Sequence, residues 1–267
     1  MQVFKNSLIF YGALKTCTVF IIVVIITIYL TSTSISISRL ADSSNFTVTD
    51  KVEFITSDDF IIKATLYHTL NKDDRPVIIL LHSLNSSQDS FNWLIPLLIQ
   101  KKLNILTLDF RGHGKSIYMT SGHETHFYSM ADIHKNSIFK DVEAAISFLT
   151  EHPAVNTDHC ILLGASLGAN VALITGYYNS DKVKRVIAIS PYSRYRKYDI
   201  SRYIKNIDRA TYLITSEGDT PCMKAIKEYS ILNNLHINII ITKGSDHGLE
   251  ILKNNPALID EIITSAD

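Results

Sequence analysis

Short, fully apolar segments alternate with longer amphipathic segments along most of this chain, and this pattern constrains the fold more than any other feature. Residues 76–81 read PVIILL and residues 160–164 read CILLG, with no charged side chain in either segment. Such runs are typical of strands buried on both faces of a parallel sheet. The segment at residues 136–152 repeats its apolar side chains at helical spacing. The alternation predicts an α/β fold with a mostly parallel, doubly wound sheet and helices on both faces.

The other predicted elements follow the same rule. A polar turn at residues 57–59 separates two β-like segments, which predicts a hairpin ahead of the parallel strands. Strands are predicted at residues 51–55, 60–67, 76–81, 104–109, 160–164, 183–190, 211–216 and 236–242. Helices are predicted at residues 91–101, 136–152 and 167–178, after residue 221, and from residue 249 to about residue 263. Together they predict one folded domain over residues 50–267.

The N-terminal segment carries a separate signal. No Asp, Glu, Lys or Arg occurs between Lys15 and Arg39, and residues 17–30 are almost continuously apolar. A membrane-spanning helix needs about 20 mostly apolar residues, a length that the flanking Ser and Thr residues can complete. We therefore expect an N-terminal hydrophobic helix, a signal anchor over residues 1–31, followed by a Ser/Thr-rich linker over residues 32–49. A cleaved signal peptide and a buried core helix are the alternatives.

The charges around this segment predict its orientation. The first 15 residues contain Lys5 and Lys15 and no acidic residue. Because basic flanks of a membrane segment stay in the cytoplasm, we expect the rest of the chain to be exported and anchored to the membrane. Secretion after cleavage of the segment is the alternative.

Composition excludes several classes of partner. The 26 Lys and Arg residues balance the 26 Asp and Glu residues, a charge balance that argues against a nucleic-acid binder. Three cysteines are too few for a disulfide scaffold. No glycine pattern typical of dinucleotide or P-loop binding occurs, so we expect no cofactor. The histidines between residues 112 and 135 are irregularly spaced, which argues against a metal site.

The sharpest motif is GASLG at residues 164–168, between a predicted strand and a predicted helix. In that context G-x-S-x-G is a nucleophile elbow, a strained turn that projects the hydroxyl of Ser166 from the sheet. The start of the following helix adds a favourable field for developing negative charge. Ser166 is therefore the candidate nucleophile, and a chance match in a glycine- and serine-containing turn is the alternative.

A serine nucleophile needs a base, and the chain order on this fold is serine, acid, histidine. Only two histidines follow Ser166 in the sequence. His247 lies in GSDHG at residues 244–248, between the last strand and the last helix, and is the candidate base. His236 starts an apolar strand and is interpreted as structural.

The acid is expected after the strand that precedes the histidine strand, in EGDTP at residues 217–221. Asp219 is the candidate, because Gly218 permits a sharp turn and Pro221 can open the next helix. Glu217 is the alternative. The role of the acid is to hold the imidazole tautomer and to stabilise the imidazolium.

Acyl transfer also requires two N–H donors for the oxyanion. The residue after the nucleophile, Leu167, is expected to supply one of them. The other is expected from the loop at residues 82–87, which follows the first apolar strand.

These segments resemble serine hydrolases of the α/β-hydrolase superfamily, of the esterase or lipase type. LLHSL at residues 80–84, DFRGHGKS at residues 109–116, and the three motifs above fall in the order and spacing of that superfamily. The resemblance implies a catalytic triad of Ser166, Asp219 and His247, with an oxyanion hole formed by the backbone N–H groups of Leu84 and Leu167.

The chain departs from the superfamily pattern at Ser83, where a glycine is usual, and a serine there is strained if its φ is positive. By the same resemblance, His113 belongs to a structural turn, with a catalytic role as the alternative. Only 20 residues separate Ser190 from Thr211, which implies a site without a cap domain. That stretch is rich in Tyr and Arg, and three interpretations stay open: a wall of the substrate mouth, a membrane-facing surface and a solvated amphipathic helix.

The expected activity is hydrolysis of a small-molecule or lipid-like carboxylic ester through an acyl-enzyme. Thioester and amide cleavage use the same groups, so a thioesterase or a peptidase is an alternative. A catalytically silent binding protein of the same fold is the alternative from a different class of function.

Overall fold

The computed structural model describes residues 47–70 and 74–264. The hydrophobic segment predicted at residues 1–31 lies outside the described residues, as does most of the linker predicted at residues 32–49. Within the described ranges, no helix combines the length and the apolar character needed to cross a membrane.

Ten strands occur in the described part of the chain. They are β1 (Thr47–Ile55), β2 (Ile61–Thr69), β3 (Val77–Leu81), β4 (Asn104–Leu108), β5 (Cys160–Ala165), β6 (Val183–Ile189), β7 (Arg194–Tyr195), β8 (Tyr198–Asp199), β9 (Ala210–Ser216) and β10 (Ile237–Thr242). Eight of them form one sheet in the order β1-β2-β4-β3-β5-β6-β9-β10, while β7 and β8 form a separate hairpin. The pairs β1–β2 and β2–β4 are antiparallel, and the other neighbours in the large sheet are parallel.

The helices pack on both faces of this sheet. They are α1 (Ile95–Gln100), α2 (Asp132–Lys135), α3 (Phe139–Glu151), α4 (Leu167–Tyr178), α5 (Ser201–Asn206), α6 (Thr220–Ser230), α7 (Leu249–Asn254) and α8 (Ala257–Thr264), with a 3₁₀ turn at Gln88–Phe91. This arrangement confirms the predicted α/β class and the mostly parallel sheet.

Alternate side chains of β3 pack on opposite faces of the sheet. Val77, Ile79 and Leu81 join the apolar cluster that includes α3 and α4. Ile78 and Leu80 join the cluster that includes α1, α7 and α8. Because both faces are covered, every residue of β3, β4 and β5 is buried, as the apolar sequences of β3 and β5 predicted.

Two predicted helices have different bounds in the structure. The helix predicted at residues 91–101 begins only at Ile95, because a 3₁₀ turn precedes it and Pro96 occupies its first turn. The last helix was predicted to be continuous, which is wrong: α7 ends at Asn254 and α8 begins at Ala257. Pro256 lies between them, lacks an N–H and disfavours helical geometry at the residue before it.

The stretch between β6 and β9 contains the hairpin β7–β8 and the short helix α5. A solvated amphipathic helix therefore accounts for only its second half. Each strand of the hairpin carries a tyrosine that contacts the C-terminal end of α2. The hydroxyls of Tyr195 and Tyr198 donate hydrogen bonds to the carbonyls of Lys135 and Asn136, respectively. The stretch is too small to form a separate domain.

Candidate active site

Ser166 occupies a strained turn between β5 and α4. Its φ is 55° and its ψ is −109°, a conformation that few residues other than glycine adopt. Such backbone conformations cost about 1–3 kcal/mol and are concentrated at functional sites. The N–H of Ser166 donates to the carbonyl of Ile189 at 2.8 Å, which fixes the turn against β6.

The two glycines of the motif are required by close backbone contacts. A Cβ at Gly164 would lie 2.1 Å from the carbonyl oxygen of Gly168, and a Cβ at Gly168 would lie 2.1 Å from that of Leu81. Real Cβ atoms do not approach so closely, so the elbow excludes every other residue type at both positions unless the backbone moves. The close approach that the sequence predicted is therefore present.

His247 and Asp219 are brought together by the loops that follow β10 and β9. His247 Nδ1 lies 2.9 Å from Asp219 Oδ2, and because a carboxylate only accepts, Nδ1 carries the proton. The Nε2 lone pair is then free to accept a proton. Asp219 is buried, whereas the alternative acid, Glu217, is exposed. The structure thus pairs the histidine with Asp219.

The loop that carries His247 also packs beside the elbow. The N–H of Gly248, the next residue, donates to the hydroxyl of Ser190 at 2.8 Å. A Cβ at Gly248 would lie 3.5 Å from Ser83 Oγ and 3.7 Å from the Cβ of Ala165, which directly precedes the serine. The nucleophile and base candidates therefore lie on adjacent loops at one edge of the sheet. Among the described residues, no hydrogen bond joins Ser166 to His247, a contact that often tightens only when substrate binds.

The two candidate oxyanion donors are available. Among the described residues, neither the N–H of Leu84 nor that of Leu167 donates a hydrogen bond to a protein group. Leu167 is the first residue of α4, where an N–H has no partner within the helix.

The serine at position 83 causes no backbone strain. Positive φ in its loop falls instead on Asn85, at 59°, and asparagine tolerates that conformation. The hydroxyl of Ser83 donates to the carbonyl of Ala165 at 3.3 Å. This bond connects the loop that contains Leu84 to the nucleophile elbow. A glycine at position 83 has no side chain and could not make it.

Tyr192 belongs to the Tyr- and Arg-rich stretch for which a wall of the substrate mouth is one of the three interpretations, and it lies beside the candidate base. Its ring centroid lies 6.0 Å from that of His247. Its N–H donates to Asn170 Oδ1, its carbonyl accepts from the hydroxyl of Tyr229, and burial raises the pKa of its phenol. Tyr192 follows the carboxyl end of β6, the edge of the sheet at which the other candidates lie.

Cys222 lies close to Nδ1 of His247. Its Sγ is 4.0 Å from His247 Nδ1, and the thiol donates to the carbonyl of Ser190 at 3.3 Å. Together with Asp219, these side chains form a group whose ligand atoms lie within 4.8 Å of one another. Burial and the charge of Asp219 raise the pKa of the Cys222 thiol, which disfavours the thiolate that a metal ion prefers.

The remaining histidines that the sequence analysis considered are separate from this site. His113 is buried, donates from Nδ1 to the carbonyl of Arg111 at 3.1 Å, and packs against His82. His126 pairs with Glu124 at the surface, and His236 is exposed. The loop histidines at residues 113, 123, 126 and 134 form none of the metal-ligand groups found among the described residues.

These features define an α/β hydrolase: the order of the strands in the sheet, the strained turn at the serine, and the loops further along the chain that carry the acid and the histidine. The chain belongs to the family described as "Serine aminopeptidase, S33", which matches residues 72–220. The matched region includes Ser166 and Asp219 and ends before His247.

Two curated relatives share the same level of identity. The sn-1-specific diacylglycerol lipase ABHD11 of Mus musculus is 26% identical over 125 residues, which cover 46% of this chain and 35% of the relative. The bifunctional esterase/perhydrolase DCH of Acinetobacter calcoaceticus is 26% identical over 117 residues, which cover 44% of this chain and 37% of the relative. The match thus spans about a third of the length of each of these relatives.

Solved structures match over more of the chain. The esterase Pf2001 of Pyrococcus furiosus has a TM-score of 0.65 at 20% identity, covering 84% of this chain and 94% of that protein. A dienelactone hydrolase from Anabaena variabilis has a TM-score of 0.62 at 16% identity, covering 82% of this chain and 97% of that protein. At this level of identity the likeness establishes the fold.

Proposed function

We propose that the protein is a serine hydrolase that cleaves carboxylic esters through an acyl-enzyme. The observation that carries the proposal is the 2.9 Å contact between His247 Nδ1 and Asp219 Oδ2, on loops that adjoin the strained turn of Ser166. A histidine oriented in this way beside a serine has its second nitrogen free to act as a base.

The reaction proceeds in two stages. The Ser166 hydroxyl attacks the acyl carbon while His247 Nε2 takes its proton, and the imidazolium then gives that proton to the leaving alcohol. Water, deprotonated by the same nitrogen, attacks the acyl carbon; the bond from that carbon to Ser166 Oγ then breaks, the imidazolium returns the proton to Oγ, and the acid leaves. Asp219 keeps the proton of the resting imidazole on Nδ1 and stabilises the imidazolium in both stages.

The oxyanion of each tetrahedral intermediate is held by backbone groups. The N–H groups of Leu84 and Leu167 are unpaired among the described residues, and the N-terminal end of α4 points its partial positive charge to the same place. Loss of one such donor typically costs about 2.7–4 kcal/mol of transition-state stabilisation. The hydrogen bond between Ser83 and Ala165 holds the loop of Leu84 against the segment that precedes Leu167, which fixes the position of one donor relative to the other.

Ester cleavage is favoured over the other acyl transfers by two observations. Both of these curated relatives carry lipase or esterase names, and the stretch between β6 and β9, which the structure describes in full, is too short to form a cap domain. An aminopeptidase is the second candidate, because the matching family is described by that activity.

Hydrolysis assays on the full chain distinguish these candidates. We expect p-nitrophenyl esters of increasing acyl length to be cleaved, with the length preference defining the acyl pocket, and amino-acid p-nitroanilides to be cleaved far more slowly. Ser166→Ala serves as the inactive control. Anilide cleavage at a higher kcat/KM than every ester would assign the protein to the peptidases instead. Absence of turnover on esters, thioesters and anilides would support the silent binding protein.

We also propose that residues 1–31 anchor the protein in a membrane with the hydrolase domain exported. The uncharged apolar run and its basic flank support this orientation. Alkaline extraction and N-terminal sequencing of the full-length protein test it. Retention in the membrane with an intact N-terminus is expected, whereas release together with a new N-terminus within residues 31–38 would indicate a cleaved signal peptide.

A further inference from the structure

A second group of polar side chains lies at the opposite edge of the sheet from Ser166. Asp50 belongs to β1, His68 lies near the end of β2, and His152 directly follows α3. Because β2 runs antiparallel to β4, the end of β2 that carries His68 adjoins the start of β4. The candidate active site follows the other ends of the parallel strands, so the two sites are on opposite edges.

The three side chains converge. Each offers one ligand atom, and these atoms all lie within 4.8 Å of one another. His68 Nε2 is 2.8 Å from Asp50 Oδ2, and the ring centroids of His68 and His152 are 5.1 Å apart. Two imidazoles and one carboxylate are a ligand set typical of zinc sites.

The contacts of His68 orient its ring so that Nε2 faces Asp50. Its Nδ1 lies 2.6 Å from the carbonyl of Thr69, which only accepts, so Nδ1 carries a proton. Its Nε2 faces the carboxylate of Asp50, which also only accepts. A neutral imidazole has a single N–H and cannot satisfy both contacts. With its proton on Nδ1, His68 presents the lone pair of Nε2 toward Asp50, which is the orientation of a metal ligand.

His82 shows the contrasting arrangement. Its Nδ1 also lies against a carbonyl, that of Ser83 at 2.7 Å, but its Nε2 accepts from the N–H of Phe110 at 3.0 Å. A neutral ring satisfies both bonds. The carbonyl contact of His68 is also the type of outer contact that fixes the tautomer of zinc-binding histidines, because it leaves Nε2 as the ligand.

His152 adds a third ligand in a favourable field. It caps the C-terminus of the 13-residue helix α3, where the partial negative charge of the helix dipole favours a cation. The N–H of Ala154 donates to His152 Nδ1 at 3.3 Å, which is a long and weak hydrogen bond. Coordination of an ion through Nε2 would place the ring proton on Nδ1 and break only this weak bond. The ring is partly exposed, so an ion can enter from solvent.

We propose that Asp50, His68 and His152 bind one zinc ion, with water as the fourth ligand. The ion would join the β1–β2 hairpin to the end of α3 and stabilise that edge of the sheet. This site is independent of the hydrolase mechanism, and its test does not depend on activity.

The test uses the untagged full chain after dialysis against a chelator. Titration with zinc chloride is followed by calorimetry and by thermal unfolding. We expect one ion per chain at this site and a rise in Tm of roughly 5–10 °C at about a hundredfold excess over Kd. His68→Gln and His152→Gln should each abolish both effects.

Two matched controls separate this site from other histidines. His126→Gln removes the surface pair with Glu124, and His247→Gln removes the group that includes Asp219 and Cys222. Both variants should keep the zinc-dependent rise in Tm. Cobalt provides a measurement on the unmutated protein. Bound Co²⁺ should give the visible absorption bands of tetrahedral cobalt, and these bands should disappear when zinc displaces it. A rise in Tm that survives in both His68→Gln and His152→Gln, or absence of zinc binding to the unmutated chain, would overturn the proposal.

Discussion

The substitution Asp219→Asn tests the acid of the proposed triad. Asparagine has the same shape but no charge, and its amide nitrogen can donate to His247 Nδ1. In that arrangement the ring proton moves to Nε2, and the nitrogen that must accept the proton of Ser166 is already occupied. We therefore expect a fall in turnover with little change in structure.

The size of the fall follows from the geometry of the pair. At the observed 2.9 Å separation, a carboxylate and an imidazolium attract each other by about 6 kcal/mol at an effective dielectric constant of about 20. The His247 side chain is 40% exposed, so solvent screens part of this energy. A remaining loss of about 4–5 kcal/mol corresponds to a 10³–10⁴-fold decrease in kcat.

The assay compares kcat for a p-nitrophenyl ester with urea unfolding of the same preparations. Glu217→Gln is the matched control, because it removes the same charge two residues away at an exposed position. It should retain near-normal kcat, and both variants should unfold at urea midpoints close to that of the unmutated protein. If Glu217→Gln lost activity and Asp219→Asn kept it, Glu217 would be the acid and the reasoning from the observed pair would be refuted.

Three further predictions concern the elbow, the fold and the substrate side of the site. Gly168→Ala should lower both the urea midpoint and kcat, since the new Cβ would meet the Leu81 carbonyl at 2.1 Å; an unchanged midpoint would show that the turn is not tightly packed. Burial lowers the pKa of His82 to about 4, so the unfolded state binds more protons than the folded state between about pH 4 and 6.5. The stability that the neutral His82 contributes is complete above pH 6.5, and about 3 kcal/mol of it is lost as the pH falls toward 4. The free energy of urea unfolding of His82→Gln should therefore depend less on pH over this window than that of the unmutated protein. An identical pH dependence would contradict a lowered pKa for His82. Tyr192→Ala should reduce kcat for esters severalfold, because it removes the ring whose centroid lies 6.0 Å from that of His247; unchanged kcat and KM would make that ring contact dispensable.

Much of the fold could be predicted because the signals are local. Strands β3 and β5 are buried at every position, and an uninterrupted apolar run is the direct sequence consequence of that burial. The motif around Ser166 was recognisable because two glycines and a serine are what a turn this tight allows. The break at Pro256 also has a local signal, which the prediction of one continuous last helix overlooked.

Other features depend on contacts between distant segments. The convergence of Asp50, His68 and His152 follows from the register of the β1–β2 hairpin and the docking of α3, and no spacing along the chain encodes either. The tie between Ser83 and Ala165 likewise joins residues 82 positions apart. Sequence patterns identify which residues lie at an edge of the sheet, whereas the packing of the loops decides which of them meet.

The most direct test of the proposed mechanism is labelling of the folded full chain with a fluorophosphonate probe, read by intact mass and by peptide mapping. A probe of this kind reacts with a serine whose hydroxyl is activated by a neighbouring base. We expect one adduct per chain, located on Ser166, that disappears in Ser166→Ala and is slowed in His247→Gln. Failure of the folded protein to react, or an adduct that persists in Ser166→Ala, would contradict the assignment of Ser166 as the nucleophile.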